Sequence, residues 1–517
     1  MAARKTTGLL VVSAFTVGMG VMAVEITASR LLAPYFGASL FVWTSLIVTV
    51  LLAMSFGYWV GGAAAERGKG IPTLGFLLCG ASFVLLAGIF IIGDLSKALT
   101  GVFMAWTNAS ATLFLASLAA SFLVFALPVF LLAAASPVIL KEWTRTGGDV
   151  GRVAGRYFAV STIGSVVGTI APTLVLVPAV GAKATVEIFA VIFLLLGASL
   201  LAWKERKFLA VIAMPLMTVS YLTAPAAPAD IIDERESPYQ LIRVTAPSRA
   251  SSPGGEDDGT RHLLFNEGAG IQSIYRPDAR RIQRFYFDYA GVIPLIRPYE
   301  PETHHALIIG FAGGSAARAY SNYLPDGRRA RITGVEVDPA VVAVAREHFN
   351  IDEIGAEVIV MDGRMFLQTT PDRYDTILVD AYSSQVYIPP HMATTEFYRL
   401  AKSRLKPGGV VVMNINAPTD ESRLLKALIN SAAPHFRHMT VVPTPASWNR
   451  LVFASDEPID MAAVAAKIPQ MDDDIIAALA RNYAVSYRPD EEVFTDDRAP
   501  IEMLTDTMVL DAVFASR

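Results

Sequence analysis

The sequence predicts a chain in two parts: an amino-terminal bundle of about seven transmembrane helices, then a small β unit leading into a doubly wound α/β sheet. Three observations carry this. The chain is 53% hydrophobic and only 17% charged, with a mean hydropathy of +0.44, too apolar for an ordinary soluble protein. Most of its charge lies after Asp230. Between Ala306 and Asp380 four apolar runs end in glycine or a carboxylate: ALIIGFAGGS, ITGVEVDP, VIVMDGRMF and YDTILVDAY. Buried parallel strands read this way, and their carboxyl ends are where such a sheet opens its ligand crevice. The expected divisions are 1–229 for the helical part, 230–300 for the β unit and its connecting helix, and 301–517 for the α/β part with a carboxyl-terminal extension.

The apolar stretches long enough to span a bilayer are Leu9–Leu32, Leu40–Ala64, Ile71–Ile92, Ala111–Ala135, Val153–Val177, Ala184–Trp203 and Phe208–Thr223. The first has no small-residue cleavage site and holds Glu25 and Arg30, so it reads as a span and not as a signal peptide. Basic residues concentrate in alternate loops: Arg4 and Lys5, Arg67 and Lys69, Lys141 to Arg156, and Lys204 to Lys207. This bias predicts a cytoplasmic amino terminus and a multi-pass protein of the cell membrane, with the bilayer as a partner. Seven spans would put the α/β part outside the cytoplasm. If the short seventh stretch, interrupted by Pro215, lies in the interface, the α/β part stays inside.

The segments GYWVGGAAAERGKG and GRVAGRYFAVSTIGSVVGTIAP resemble loop signals of major facilitator transporters, over about half of such a transporter. Glycines at this spacing also serve close helix packing. Glu25 and Arg30 are costly in lipid and are expected to face the bundle interior, as a polar path or as a structural pair, unless Arg30 reaches out from the helix end. Cys79, the single cysteine, excludes an intrachain disulfide and any multi-cysteine metal site. No metal is expected. The net charge of −4 gives no argument for a nucleic-acid partner.

Pro225 and Pro228 mark a linker. Short strands are expected at YQLIRV, RHLLFN and GIQSIY, with a Gly/Ser/Asp-rich loop at Ser248–Thr260, and a helix at RRIQRFYFDYAGVI. Strands and helices then alternate: strands at Ala306–Ile309, Ile332–Val337, Val358–Met361, Thr376–Val379 and Val410–Asn414, and helices starting at Ser315, Pro339 and Thr394. Asp338–Pro339 is a good helix start. This order predicts a parallel sheet.

Gly310, Gly313 and Gly314 lie in a strand-to-helix turn, where glycine permits tight backbone and close ligand approach. The spacing is not the dinucleotide fingerprint. Glu336, ending the next strand, suits two ribose hydroxyls. Asp362 with Gly363 suits an adenine amino group, and Asp380 would stand beside the reacting group. Together these predict a nucleoside site, although each alone also reads as a solvated strand end. His304 and His305 lack partners at metal spacing and read as surface residues.

The α/β part resembles the spermidine synthase (polyamine aminopropyltransferase) family, within the class I methyltransferase fold. The resemblance runs from about Ser237 to Asn416 through SPYQ, FNEGAGIQS, YFDYAGVIPL, VEVDP, MDG, YDTILVDAY and TTEFYRLAKSRLKPGG. With the helical part in front, the chain resembles the membrane-fused transporter/spermidine synthase group, whose bundle is half-transporter-like. The resemblance implies that Gln240 and Gln272 line a cosubstrate pocket, Glu336 binds ribose, Asp362 and Gly363 hold adenine, and Asp380 begins the catalytic loop. It implies decarboxylated S-adenosylmethionine as cosubstrate, an amine or polyamine as acceptor and methylthioadenosine as product. A homodimer is among the assemblies it admits.

The chain departs from the family at the reacting end. The glycine turn GFAGGS has no acid to grip the cosubstrate amine, Ser383 stands where the catalytic acid is expected, and Phe287 replaces a histidine, with Asp288 keeping a carboxylate beside it. Tyr382, Ser383, Ser384 and Tyr387 are candidate replacements, and so are Asp496, Asp497 and Glu502, which otherwise read as a capped turn. Asp380, Tyr382, Ser383 and Asp288 are the expected catalytic group. The reading is a membrane-bound spermidine synthase-like transferase using S-adenosylmethionine or its decarboxylated form. Two alternatives stand beside it: a methyltransferase or another S-adenosylmethionine-cleaving enzyme, and a non-catalytic nucleoside or polyamine sensor of a transporter-like bundle.

Overall fold

The computed structural model describes residues 2–36, 40–67, 70–104, 109–146, 149–202, 230–247, 257–266, 270–277, 279, 281–282, 285–300, 303–324, 329–383, 386–445, 447–515. It divides into two compact units, 1–227 with 235–240, and 228–234 with 241–517.

The first unit is helical: α1 (Ala2–Phe36), α2 (Leu40–Arg67), α3 (Ile71–Met104), α4 (Ala109–Ser121), α5 (Leu127–Arg145), α6 (Val150–Ala171) and α7 (Val177–Leu201). Single π-helical turns, Phe122–Ala126 and Pro172–Leu176, join α4 to α5 and α6 to α7. As continuous runs, five helices are long and apolar enough to cross a membrane: Thr6–Ala33, Leu40–Arg67, Ile71–Phe103, Phe114–Arg145 and Val150–Leu201. Among the described residues these five runs correspond to the first six of the seven expected spans, and the seventh lies outside those residues. The expected fifth and sixth spans fall in the last, 52-residue run. At ~1.5 Å per residue it is far longer than a ~30 Å hydrocarbon core, and Gly181, at φ 82° and ψ 165°, breaks it. The break leaves the amide of Ala182 outside the helix ladder, and Glu236 Oε2 accepts from it at 2.8 Å. Phe208–Thr223 and the Pro225–Pro228 linker lie outside the described residues.

Several glycines of this unit, Gly18, Gly57, Gly61, Gly164 and Gly168 among them, pack helices. A Cβ on Gly168 would lie 2.0 Å from the Met19 carbonyl oxygen, and one on Gly61 2.4 Å from that of Ala134. Backbone contact of this kind replaces side-chain interdigitation. Arg30, near the end of α1, turns outward, and its Nη1 donates to the Tyr239 carbonyl at 2.9 Å.

An antiparallel sheet follows in the order β1 (Ile231–Glu236), β2 (Leu241–Thr245), β3 (Arg261–Phe265), β4 (Ile271–Tyr275). β1 was not expected from sequence. Where a helix is expected over 280–293, the described residues form a 3₁₀ helix, Tyr286–Leu295. The main sheet holds β5 (His305–Ile309), β6 (Arg331–Glu336), β7 (Glu357–Val360), β8 (Tyr374–Val379), β9 (Leu405–Asn416), β10 (His438–Pro443), β11 (Asn449–Ser455) and β12 (Tyr483–Val485). Their order is β12-β10-β11-β9-β8-β5-β6-β7. β5 to β9 are parallel, as predicted. β11 runs antiparallel to β9, and β10 to both β11 and β12, so the whole sheet is mixed.

Alternation along each strand feeds two apolar layers. Ala306, Ile308, Val410 and Val412 join one, with Val341, Val344 and Phe349 of α9 (Pro339–Phe349). Leu307, Ile309, Val411 and Met413 join the other, with Phe397 of α11 (Thr395–Ser403), Leu425 of α12 (Arg423–Ala432) and Leu504 of α15 (Ile501–Ala515). The remaining helices are α8 (Ser315–Tyr320), α10 (Gly363–Thr369), α13 (Met461–Ala465) and α14 (Asp473–Ala480). Asp338 caps α9 by accepting from Ala340 N, and Pro339 opens the helix. His304 and His305 are buried, not on the surface as expected. His304 Nε2 meets Tyr320 Oη and His305 Nε2 meets Thr333 Oγ1, each at 2.9 Å. Burial depresses both rings, that of His305 to about 4.

Candidate active site at the carboxyl ends of the parallel strands

From β5 the chain winds through β6 to β7 on one side, while β8 and β9 lie on the other. The reversal between β5 and β8 is where such sheets leave a crevice. The glycine turn follows β5 there. Gly310 has φ 88°, and a Cβ on it would lie 2.1 Å from the Asp380 carbonyl oxygen. Only glycine lets the ends of β5 and β8 come this close. Ala312 N donates to Glu336 Oε2 at 3.0 Å, and Asp338 N donates to Oε1 at 3.2 Å. Burial raises the Glu336 carboxyl and these amides offset part of that. A carboxylate oxygen can accept more than one hydrogen bond, so the chemistry of the group suits a diol as well.

Gly313 N donates to Ser273 Oγ at 2.9 Å. Ser315 Oγ accepts from Ile274 N and donates to Ile274 O, each at 2.8 Å. These contacts tie β4 to the turn, and sequence reasoning missed both serines. Gln272 lies partly exposed on β4, beside Ser273. Gln240 is buried in the turn before β2, where its carbonyl accepts from Ser237 N at 2.9 Å. Gly314, at φ 77°, leads into α8.

Asp362 caps α10 by accepting from Met365 N at 2.9 Å, and His391 Nε2 lies 2.8 Å from its other oxygen. The His391 contact holds this carboxyl below the usual range. Gly363 is required by packing, since a Cβ there would lie 2.2 Å from Ile309 Cγ2. Arg364 makes a bidentate pair with Asp496, both contacts at 2.6 Å, which holds the Asp496 carboxyl down to about 2. Asp496 is thus engaged in a turn, and Thr495 and Arg498 bridge around it. Asp497 is exposed and Glu502 half-buried.

Asp380 ends β8 at the centre of a polar chain. Asn414 Nδ2 donates to its Oδ1 at 2.8 Å, and Tyr286 Oη donates to its Oδ2 at 3.0 Å. Asn449 Nδ2 donates in turn to Asn414 Oδ1 at 2.9 Å and to Asn416 Oδ1 at 3.0 Å. Burial pushes the Asp380 carboxyl up to about 7, against the pull of Asn414 and Tyr286. Tyr382 Oη donates to Asn414 O at 2.9 Å and accepts from Asn416 N at 3.1 Å, which fixes the loop on the end of β9. Ser383 is exposed, and its amide and hydroxyl both donate to Tyr387 O. Asp288 turns to a different set of partners. Its Oδ1 accepts from Ile282 N at 3.0 Å and its Oδ2 faces Arg281 Nε at 3.4 Å, in an ionic cluster with Asp472 and Asp474. Tyr286, two residues earlier, reaches Asp380 instead. Tyr286, Asn414 and Asn449 were missed from sequence. The NIN triplet closing an apolar strand was the available signal. Ser384 lies outside the described residues.

This arrangement offers one buried acceptor pair for a diol, one helix-capping carboxylate nearby on the adjacent strand end, and one carboxylate whose proton affinity lies near neutrality. The last can take a proton from an attacking group at physiological pH.

Residues 293–458 match the family model of the spermine/spermidine synthase domain. A probable polyamine aminopropyl transferase of Bifidobacterium longum is 30% identical over 263 residues, 47% of this chain and 57% of that protein. A polyamine aminopropyltransferase of Vibrio vulnificus is 30% identical over 190 residues, 36% of this chain and 58% of that protein. The chain thus spans a little over half the length of each. A crystal structure of a probable spermidine synthase from Corynebacterium glutamicum superposes with a TM-score of 0.38 and 20% identity, covering 47% of this chain and 87% of that one. The α/β unit, through residues 293–458, carries a spermine/spermidine synthase domain.

Proposed function

We propose that the protein is a membrane-bound aminopropyltransferase-like enzyme that binds an adenosyl sulfonium cosubstrate in the crevice between β5 and β8. In this reading Glu336 accepts from the ribose hydroxyls, Asp362 from the adenine amino group, and Gln272 lines the pocket. The amine nitrogen attacks the carbon next to sulfonium. The carbon–sulfur bond breaks with its electron pair going to sulfur, methylthioadenosine leaves, and Asp380 takes the proton released by the acceptor ammonium. Tyr286 and Asn414 hold the Asp380 carboxylate in place, and Tyr382 and Ser383 shape the loop over it. The observation that carries the reading is Asp380, buried, gripped by two neutral donors and raised to about 7 at the reacting end of the crevice. Five apolar helices support the membrane location.

A second reading, S-adenosylmethionine-dependent methyl transfer, is favoured by the glycine turn. A Cβ on Gly313 would lie 2.7 Å from Ser273 Cβ, so the turn has no room for a side chain that could grip a cosubstrate amine. Purified full-length protein, given an amine with either S-adenosylmethionine or its decarboxylated form, separates the two. Release of methylthioadenosine supports aminopropyl transfer, release of adenosylhomocysteine supports methyl transfer, and neither product refutes both.

A further inference from the structure

The turn that carries Asp496 is sewn to the loop after β8 by contacts that the mechanism above does not use. Thr395 N donates to Phe494 O at 2.9 Å, and Asp496 N donates to Glu396 Oε2 at 3.1 Å. Thr394 Oγ1 donates to Asp496 Oδ1 at 2.7 Å. From there a chain of side chains leads back to the end of β7. Asp496 grips Arg364 through two contacts of 2.6 Å. Arg364 Nη1 also donates to the His391 carbonyl at 2.9 Å. His391 Nε2 in turn donates to Asp362 Oδ2 at 2.8 Å. An ionised carboxylate only accepts, so the shared proton belongs to the imidazole.

Packing brings the same pieces together. The 3₁₀ turn Pro390–Met392 lies over the start of α10, with Met392 Sδ 3.2 Å from where a Cβ on Gly363 would stand. Met361 N donates to Glu336 O at 3.0 Å, which sets Asp362 beside the strand end that carries Glu336. Both oxygens of Asp362 are fixed, Oδ1 by Met365 N and Oδ2 by His391. Arg364 stands two residues from Asp362. A guanidinium unpaired there would bond that carboxylate and neutralise it. Asp496 takes both of its terminal nitrogens instead. Asp362 is left to an imidazole, a single donor that need not be charged, and so keeps a negative edge for an amino group.

We propose that His391 and Asp496 are positioning residues for the base end of the crevice. His391 aims the Asp362 carboxylate, and Asp496 holds the Arg364 guanidinium away from it. The carboxyl-terminal turn thereby sets how strongly the site prefers a 6-aminopurine to a 6-oxopurine. This rests on the reading in which Asp362 accepts from the adenine amino group. A 6-oxo group turns lone pairs towards Asp362 and is repelled; once Asp362 swings away or pairs with Arg364, that repulsion is lost.

The test is calorimetric titration of full-length protein in detergent micelles with methylthioadenosine and with methylthioinosine. Wild type is expected to bind the adenosine form at least about tenfold more tightly. His391→Ala should cut that ratio by roughly tenfold. His391→Gln, whose side-chain amide can donate to the same oxygen, should keep most of it. Asp496→Asn should narrow the ratio as well, because Arg364 can then turn to Asp362 or to a 6-oxo group. A merely structural role would weaken both nucleosides alike, and would not separate glutamine from alanine at the exposed position of His391. A wild-type ratio in His391→Ala or in Asp496→Asn, an equal loss of both nucleosides, or a His391→Gln ratio as low as that of His391→Ala overturns the proposal. Failure of the underlying reading shows in the wild type itself, as equal affinity for the two nucleosides or binding of neither.

Discussion

Replacing Asp380 with asparagine should cost the protein most of its transfer activity and, above neutral pH, make it more stable. The carboxyl is raised from 3.8 to about 7, chiefly by burial. Between these values the native state holds a proton that the unfolded chain has released. Stability therefore falls as pH rises through this window, and the cost is complete above about pH 7. A difference of about 3 in pKa corresponds to at most about 4 kcal/mol. Asparagine carries no charge, and its geometry can be satisfied. Its oxygen accepts from Asn414, and its amide can donate to the Tyr286 hydroxyl, which then acts as acceptor. The variant should thus gain up to about 4 kcal/mol over wild type at pH 8 and almost nothing at pH 4. Hydrogen exchange of β8 and β9, read by mass spectrometry on the full-length protein at pH 5 and pH 8, measures the difference where it arises. Transfer activity should fall by about 10² to 10⁴. A variant no more protected than wild type at pH 8, or equally stabilised at both pH values, would refute the picture of a buried carboxylate held near neutrality.

Three further outcomes follow from the same geometry. Tyr286→Phe removes a donor to the charged form of Asp380, so the acid limb of the rate–pH profile should move to higher pH, by up to about one unit; a profile that stays in place removes Tyr286 from the network. Glu336→Gln turns one acceptor oxygen into a donor and should weaken methylthioadenosine binding by roughly tenfold or more; calorimetry showing unchanged affinity would take Glu336 out of the ribose site. Gly363→Ala places a methyl group 2.2 Å from Ile309 Cγ2 and should destabilise the α/β unit by about 1–3 kcal/mol, seen as faster exchange in β5 and α10.

Strands β5 to β8 were legible because each is an apolar run closed by glycine or an acid, and burial in two layers demands the apolar run. The Asp338 cap was legible because it is local. What escaped were contacts between residues far apart in the chain. Tyr286 reaches Asp380 across 94 positions and Asn414 reaches it across 34. No local pattern encodes either. The antiparallel strands β10 to β12 escaped for the same reason, since they pair beyond β9 and carry no strand-end acid. His304 and His305 misled because a polar pair before a strand usually faces water. Here each ring finds a buried hydroxyl. In the helical unit, composition marks where a chain can cross a membrane. It does not show that two π turns and one glycine join or break the helices.

Ser383 in place of an acid looks at first like the loss of catalysis, but the proton balance argues otherwise. An alkylammonium titrates near about 10.4 and an ordinary aspartate near about 3.9, a gap of about 6.5. That gap makes a lone aspartate a poor acceptor for the proton, and a second acid beside it is one way to close the difference. Burial at Asp380 closes about half of it, leaving a gap of about 3.4. The Asp380 carboxyl remains substantially ionised at neutral pH, and Tyr286 and Asn414 keep it aimed.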